Sequence, residues 1–200
     1  MASAYRVVPE YLLKVTGSPA SLVTLAEAKD HLEIDHSDKD TYITSLVAAA
    51  SQMIDGAEGM VGKPVGQQTV TYSIKDAPSN DIYLPIFPVK SITSISYIDT
   101  DGNSQSIGTS DFRLIGNEDY AVIETVDGYE WPSVFDRQDA ITFTLLCGFD
   151  VVPDALKHAC LMLVAHWFEN REAASELSIR GIDFAVEALV NRYRKGWVAA

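Results

Sequence analysis

The stretch Pro153 to Arg171, PDALKHACLMLVAHWFENR, carries helix signals at both ends and apolar side chains almost all the way round. Pro153 suits a first helical turn, Asp154 places negative charge at the positive end of the helix dipole, and Arg171 complements the other end. Leu156, Ala159, Cys160, Leu163, Val164 and Trp167 make one apolar face, and Leu161, Met162, Ala165 and Phe168 nearly close the circle. Such a helix has to be covered on more than one side. The cover is either a second layer of the same chain or another subunit. Leu161, Met162, Trp167 and Phe168 are the residues expected to pack between subunits, and the rest of the chain reads as material folded onto this helix.

Working outward, 200 residues with 47% apolar content are one large or two small domains with enough apolar surface for a core. No apolar run reaches the roughly 18 residues of a membrane span. The N-terminal MASAYRVVPEYLLKVTG lacks a basic segment followed by a sustained apolar one, so neither a membrane span nor a standard secretion signal is expected. Cys147 and Cys160 each lie in an apolar stretch, which suits reduced thiols better than a disulfide framework, although sequence alone leaves their pairing open. The net charge of -13 is uneven: Asp99 to Asp139 holds ten carboxylates against Arg113 and Arg137, whereas Arg180 to Ala200 holds four cations against Asp183 and Glu187. An acidic body with a mildly basic tail repels nucleic acid, because non-specific binding depends on Lys and Arg neutralising phosphates.

Residues 1–20 show no clear period and are punctuated by Gly17, Ser18 and Pro19, which predicts an extended arm that needs a partner to be ordered. Thr24-Leu25-Ala26-Glu27 is a capping box, and Leu25, Ala28 and Leu32 continue a helix over 24–35. After Asp35-His36-Ser37-Asp38, the spacing of Ile43, Leu46, Val47, Ala50, Met53, Ile54 and Ala57 predicts a second, antiparallel helix over 38–58. From Gly66 the period changes to that of strands, expected at 69–74, 82–84, 89–98, 106–115, 121–125 and 140–147. Asp99-Thr100-Asp101-Gly102-Asn103 is a hairpin turn before Ser104 to Ile107. A last helix is expected over 185–195. The organisation that follows is α+β: an N-terminal arm (1–20), a helical hairpin (21–65), an antiparallel β module (66–150), and a central helix with a C-terminal helix and arm (151–200) that packs with 21–65 as one domain.

The candidates for chemistry each meet a plainer alternative. The Asp99 segment has Ser104 and Ser110 where a calcium loop needs Gly and Glu. Gly59-Met-Val-Gly62-Lys63-Pro64 lacks the first glycine and the hydroxyl residue of a phosphate loop, and reads as a helix terminator. His31 and Asp35, with His36, Asp38 and Asp40 nearby, have metal-ligand chemistry, but capping carboxylates around a helix turn produce the same letters. On the central helix His158 and Cys160 point in nearly opposite directions at about 100° per residue, and His166 lies well round from His158. No catalytic residue, metal or cofactor is expected.

Three blocks in order resemble a known family. Leu22 to Asp35 (LVTLAEAKDHLEID) precedes an Asp-rich turn and an Ala-rich helix; Leu84 to Asp99 (LPIFPVKSITSISYID) follows; then Gly148 to Glu172 and Phe184 to Arg194 close the match. Over Ser21 to Lys195 the chain resembles the head-tail connector (adaptor) family of tailed bacteriophages. The resemblance implies a virion protein, made in the host bacterial cytoplasm, that forms a ring of identical subunits, about twelve, at the neck. It implies a portal protein on one side, a downstream neck or tail protein on the other, and DNA passing through the lumen without specific binding, with no membrane involved. In that setting Arg192, Tyr193, Arg194, Lys195 and Trp197 are the expected portal contacts, since aromatic and Arg side chains anchor interfaces. The alternatives are another neck or tail-completion component, or an enzyme built around His158, Cys160 and His166.

Overall fold

The computed structural model describes residues 11–16, 19–78, 81–170 and 184–194. The helices are α1 (Leu25–His31), α2 (Asp40–Ile54), α3 (Asp154–Glu169) and α4 (residues 184–190), the last continued by a 3-10 turn at Asn191–Tyr193. The strands are β1 (Tyr11–Val15), β2 (Gln68–Ile74), β3 (Ile82–Leu84), β4 (Val89–Ile98), β5 (Ser104–Ile107), β6 (Phe112–Gly116), β7 (Ala121–Thr125) and β8 (Ile141–Cys147). Every pairing is antiparallel, in a five-stranded sheet of order β1-β2-β8-β4-β5 and a three-stranded sheet of order β3-β7-β6. The class is α+β, with the antiparallel strands inserted between α2 and α3 apart from β1.

The change of hydrophobic period at Gly66 separates two cores. Leu22, Ala28, Ile43, Val47, Ile54, Leu156, Ala159, Cys160, Leu163, Val186 and Val190 join the four helices in one cluster. Val70, Tyr72, Ile95, Ile123, Ile141, Phe143 and Leu145 join the two sheets in another. The second core is closed by rings: Phe112 lies 6.2 Å from Phe143 and 5.3 Å from Trp131, and Tyr129 meets Trp131 edge-on at 5.2 Å. The strands therefore do not fold onto the central helix. They bury their alternating apolar faces against each other, as two sheets with one apolar side each can.

Four local expectations are corrected. Tyr11–Val15 is not an arm awaiting a partner but an edge strand paired residue for residue with β2, from Tyr11↔Ile74 to Val15↔Val70. Its five-residue alternation is too short to stand out beside Gly17-Ser18-Pro19. Residues 106–115 are not one strand: a 3-10 turn at Thr109–Asp111 separates β5 from β6 and sends them to different sheets. The first helix stops at His31, where Leu32 caps it and Glu33 takes a positive φ of 55°. The second stops at Ile54 because Asp55 turns to extended backbone, φ -85° and ψ 152°, and spends its carboxylate elsewhere.

The hairpin at Asp99 forms as expected. Asp99 Oδ1 accepts from the N–H groups of Asp101 (3.1 Å) and Asn103 (2.8 Å), and Gly102 turns the chain at φ 85°. The capping box is also present: Glu27 N–H donates to Thr24 Oγ1 (3.1 Å) and Thr24 N–H donates to Glu27 Oε2 (2.7 Å). Glu27 additionally accepts from Lys157 Nζ of α3 (2.9 Å), so one carboxylate caps α1 and ties it to the central helix.

The Thr24 N–H bond, and after it the Lys157 ammonium, hold the Glu27 carboxyl down from its ordinary 4.5 to about 2. A folded-state value below the unfolded one means stabilisation that is complete above pH 4.5 and lost as pH falls towards 2. Glu27→Gln is expected to cost on the order of 1 kcal/mol at pH 7, a modest figure because the group is partly exposed. Urea unfolding of both proteins across pH checks this: the gap closes between pH 4.5 and 2, and a pH-independent gap would contradict it.

Candidate functional site

The two cores meet at a junction centred on Asp55, which no sequence pattern singled out, and on Gly66 and Lys63, which the sequence marked only as a change of period and as part of a helix terminator. Asp55, 7% exposed, accepts from Val65 N–H (2.7 Å), Gly66 N–H (3.0 Å) and Gln68 Nε2 (3.4 Å). The end of α2 is thereby fastened to the start of β2. Burial pushes the Asp55 carboxyl up, although the Val65 and Gly66 amides pull it the other way. Backbones approach so closely here that a Cβ on Gly66 would lie 2.2 Å from the Ala20 carbonyl oxygen. Gly148, at φ 111°, would likewise place a Cβ 2.5 Å from the Gly66 carbonyl oxygen. Only glycine fits either position.

Lys63, 4% exposed, completes the junction. Its Nζ donates to the Glu118 carbonyl (2.8 Å) and lies 5.6 Å from the ring centres of both Phe87 and Phe149. Burial lowers its pKa, partly offset by Asp119 and Glu118. The available signal was a lone Lys among Met60, Val61 and Val65, directly after Gly59 and Gly62 in the loop that follows α2. Beside it is a cleft of about 480 Å³ lined by Pro88, Val89, Lys90, Asn117, Glu118 and residues 148–151.

On α3, Leu156, Ala159, Cys160, Leu163 and Val164 are fully buried. Leu161, Met162, Trp167 and Phe168 are half-buried and pack against the edge of the helical core. Phe168 sits 5.9 Å from the Tyr42 ring with Lys39 Nζ 4.9 Å above it, and Tyr42 Oη donates to the Trp167 carbonyl (3.4 Å). These four residues thus use one side within the chain and keep part of their surface accessible among the described residues.

Of the C-terminal candidates, Tyr193 stacks edge-on against Phe149 at 6.3 Å, and Arg194 Nε donates to the Met60 carbonyl (2.9 Å). Arg194 also lies 3.8 Å from Glu187, while Arg192 is exposed with its guanidinium 6.0 Å from the Tyr193 ring. The end of α4 is pinned to the junction. Lys195 and Trp197 lie outside the described residues.

The residues of the enzyme alternative do not come together. His158 faces His31 across α1 and α3 at 6.1 Å, His166 Nδ1 meets Asn170 Nδ2 at 3.2 Å, and Cys160 is buried 3.8 Å from Ser51 Oγ. Burial pushes the Cys160 thiol up to about 11 and the Cys147 thiol up to about 12, so neither is a nucleophile at neutral pH. Among the described residues no three His, Cys, Asp or Glu side chains form a group suited to a metal, and no helix is long and apolar enough to cross a membrane.

A family profile described as head completion protein matches residues 21–188. No protein of curated function matches the sequence. Among solved structures, a chain in the neck of an empty GTA particle computed with C6 symmetry superposes with a TM-score of 0.71 at 22% identity, over 94% of this chain and 98% of that one. A chain in the virion of the native gene transfer agent (GTA) particle gives 0.71 at 23% identity with the same coverage, and one in the native neck computed with C12 symmetry gives 0.63 at 20%. At these identities the likeness is one of fold.

Asp55→Ala removes the acceptor from two buried amides and a buried side-chain amide, and unmet buried donors cost about 1–3 kcal/mol each. A total loss of about 2–4 kcal/mol is expected in denaturant unfolding, since some donors will find water. A loss under about 0.5 kcal/mol would show that the junction is held by other contacts.

Proposed function

The chain belongs to the head completion protein family, a structural family of the virion neck and not an enzyme family, and from that premise we propose that it is the subunit of a ring joining the portal to the next neck or tail component. The observation that carries the reading is the family match over 21–188. The symmetric necks in which chains of the same fold occur support a ring of identical copies with neighbouring neck components on either side.

The physical features are of the kind such a part needs. A closed ring of identical subunits uses two unlike surfaces on each copy, and we assign the accessible parts of the half-buried Leu161, Met162, Trp167 and Phe168, which lie on different sides of α3, to subunit packing. The acidic body, net -13 over the whole chain, lets DNA slide through a lumen, because it offers phosphates repulsion in place of counter-ions.

We assign the portal contact to the C-terminal end. Arg192 is exposed there, and Tyr193 on Phe149 and Arg194 on Met60 hold the last described residues of the chain against the junction. Removal of residues 195–200 leaves both pins in place, so the shortened chain is expected to fold with unchanged helicity. Combined with Arg192→Ala, it is expected to lose attachment to portal-bearing heads, measured by co-sedimentation. Unimpaired attachment by that folded variant would place the portal contact elsewhere.

A further inference from the structure

Among the described residues the five-stranded sheet has two outer edges, and they are unlike. At one end is β1, with Tyr11, Leu12, Leu13 and Val15 between 38% and 50% exposed. It pairs one-to-one with β2, without a bulge, and contains no proline. Isolated edges are normally blunted by charge, proline, bulges or shortness, because a regular apolar edge is a template for another strand. β1 has only Lys14. At the other end is β5, four residues long, uncharged, and polar except for Ile107. Beyond it β4 is interrupted by register shifts at Val89/Ser91 and Ile92/Ser94, so the regular part of that edge is β5 itself.

The faces also correspond. Tyr11, Leu13 and Val15 lie opposite Ile74, Tyr72 and Val70, all buried in the β core, and the Tyr11 ring contacts that of Tyr72 at 5.5 Å. These three side chains therefore continue the core face past the point where the three-stranded sheet covers it. On β5, Ile107 lies opposite buried Ile95 and so shares that face. Charge is complementary as well: Lys14 stands on β1, while Asp99, Asp101 and Asp111 flank β5. Because four successive pairings are antiparallel, β1 and β5 run in the same direction. Rotation about an axis along the strands then brings β5 of one copy beside β1 of the next, as a parallel pair.

We propose that β1 is a strand-addition edge occupied by β5 of an adjacent copy of this chain, so that the five-stranded sheets of neighbouring subunits continue head-to-tail. Main-chain hydrogen bonds supply the contact and the Tyr11, Leu13, Val15 row covers Ile107. An unlike-edge contact of this kind is heterologous and propagates until it closes, whereas β1 against β1 would stop at a two-fold dimer. The inference rests on the ring reading given above.

The test uses the full chain, free at high concentration and in assembled heads. Leu12→Cys or Lys14→Cys goes on one set of molecules and Ser104→Cys or Ser106→Cys on another; all four positions lie on the face away from the core, and together they cover a two-residue change of register. The native thiols are buried and stay silent. Under mild oxidation the mixed sets are expected to give covalent dimers and a chain carrying both substitutions a ladder, while neither set alone cross-links. Leu13→Lys is expected to weaken self-association at least tenfold with an unchanged unfolding midpoint. Dimers from the β1 set alone, or no cross-link and undiminished association in folded variants, would overturn the proposal. If rings persist in that case, the strand pairing is wrong and the ring stands; a single copy of the wild-type chain per neck would overturn the ring as well.

Discussion

One buried carboxylate decides how the two halves of the molecule sit together. Asp55 leaves α2 in an extended conformation and turns its side chain to the amides of Val65 and Gly66. A carboxylate taken out of water is costly unless its oxygens are met, so the loop of residues 56–66 has to return to this point. Two glycines, at 66 and 148, let the Ala20, Gly66 and Gly148 backbones stack there without side chains between them. Lys63 then reaches the Glu118 carbonyl in the turn between β6 and β7 of the small sheet, and Phe149 passes contact on to Tyr193. Helical core, both sheets and the C-terminal end are all referred to this junction.

Much of the architecture was legible because it rests on repeated local signals. The stripe from Ile43 to Ile54, the capping box at Thr24, and the apolar run of 153–169 each report an element through several residues at once. The strand segments of 82–84, 89–98 and 121–125 were read with their observed bounds, and the Asp99 turn with its partner strand. The signals that failed were single or long-range. Asp55 is one letter at a helix end, and its importance depends on an amide ten positions away. β1 is read as strand only against β2, some sixty residues later, and Gly108 with the turn at Thr109–Asp111 breaks what alternation alone extends through 115.

Side chains on α3 exceed what one helical layer buries, which was legible in the sequence, and Leu161, Met162, Trp167 and Phe168 stand half-buried against the helical core. The apolar edge strand and the Lys63 junction were not visible, since both arise from how distant segments meet. The absence of a shared geometry among His158, Cys160 and His166 follows from helical angles, which place a thiol in the core and two imidazoles on different outer faces.

Two small cores locked at one junction carry the net charge of -13 of a chain that belongs to a head completion family. The most direct measurement is a map of the neck of a portal-bearing head containing this chain. The account predicts a closed ring of copies around the DNA channel, with residues 192–200 directed at the portal and the junction intact in every copy. A chain found singly, or outside the axis between head and tail, would contradict it.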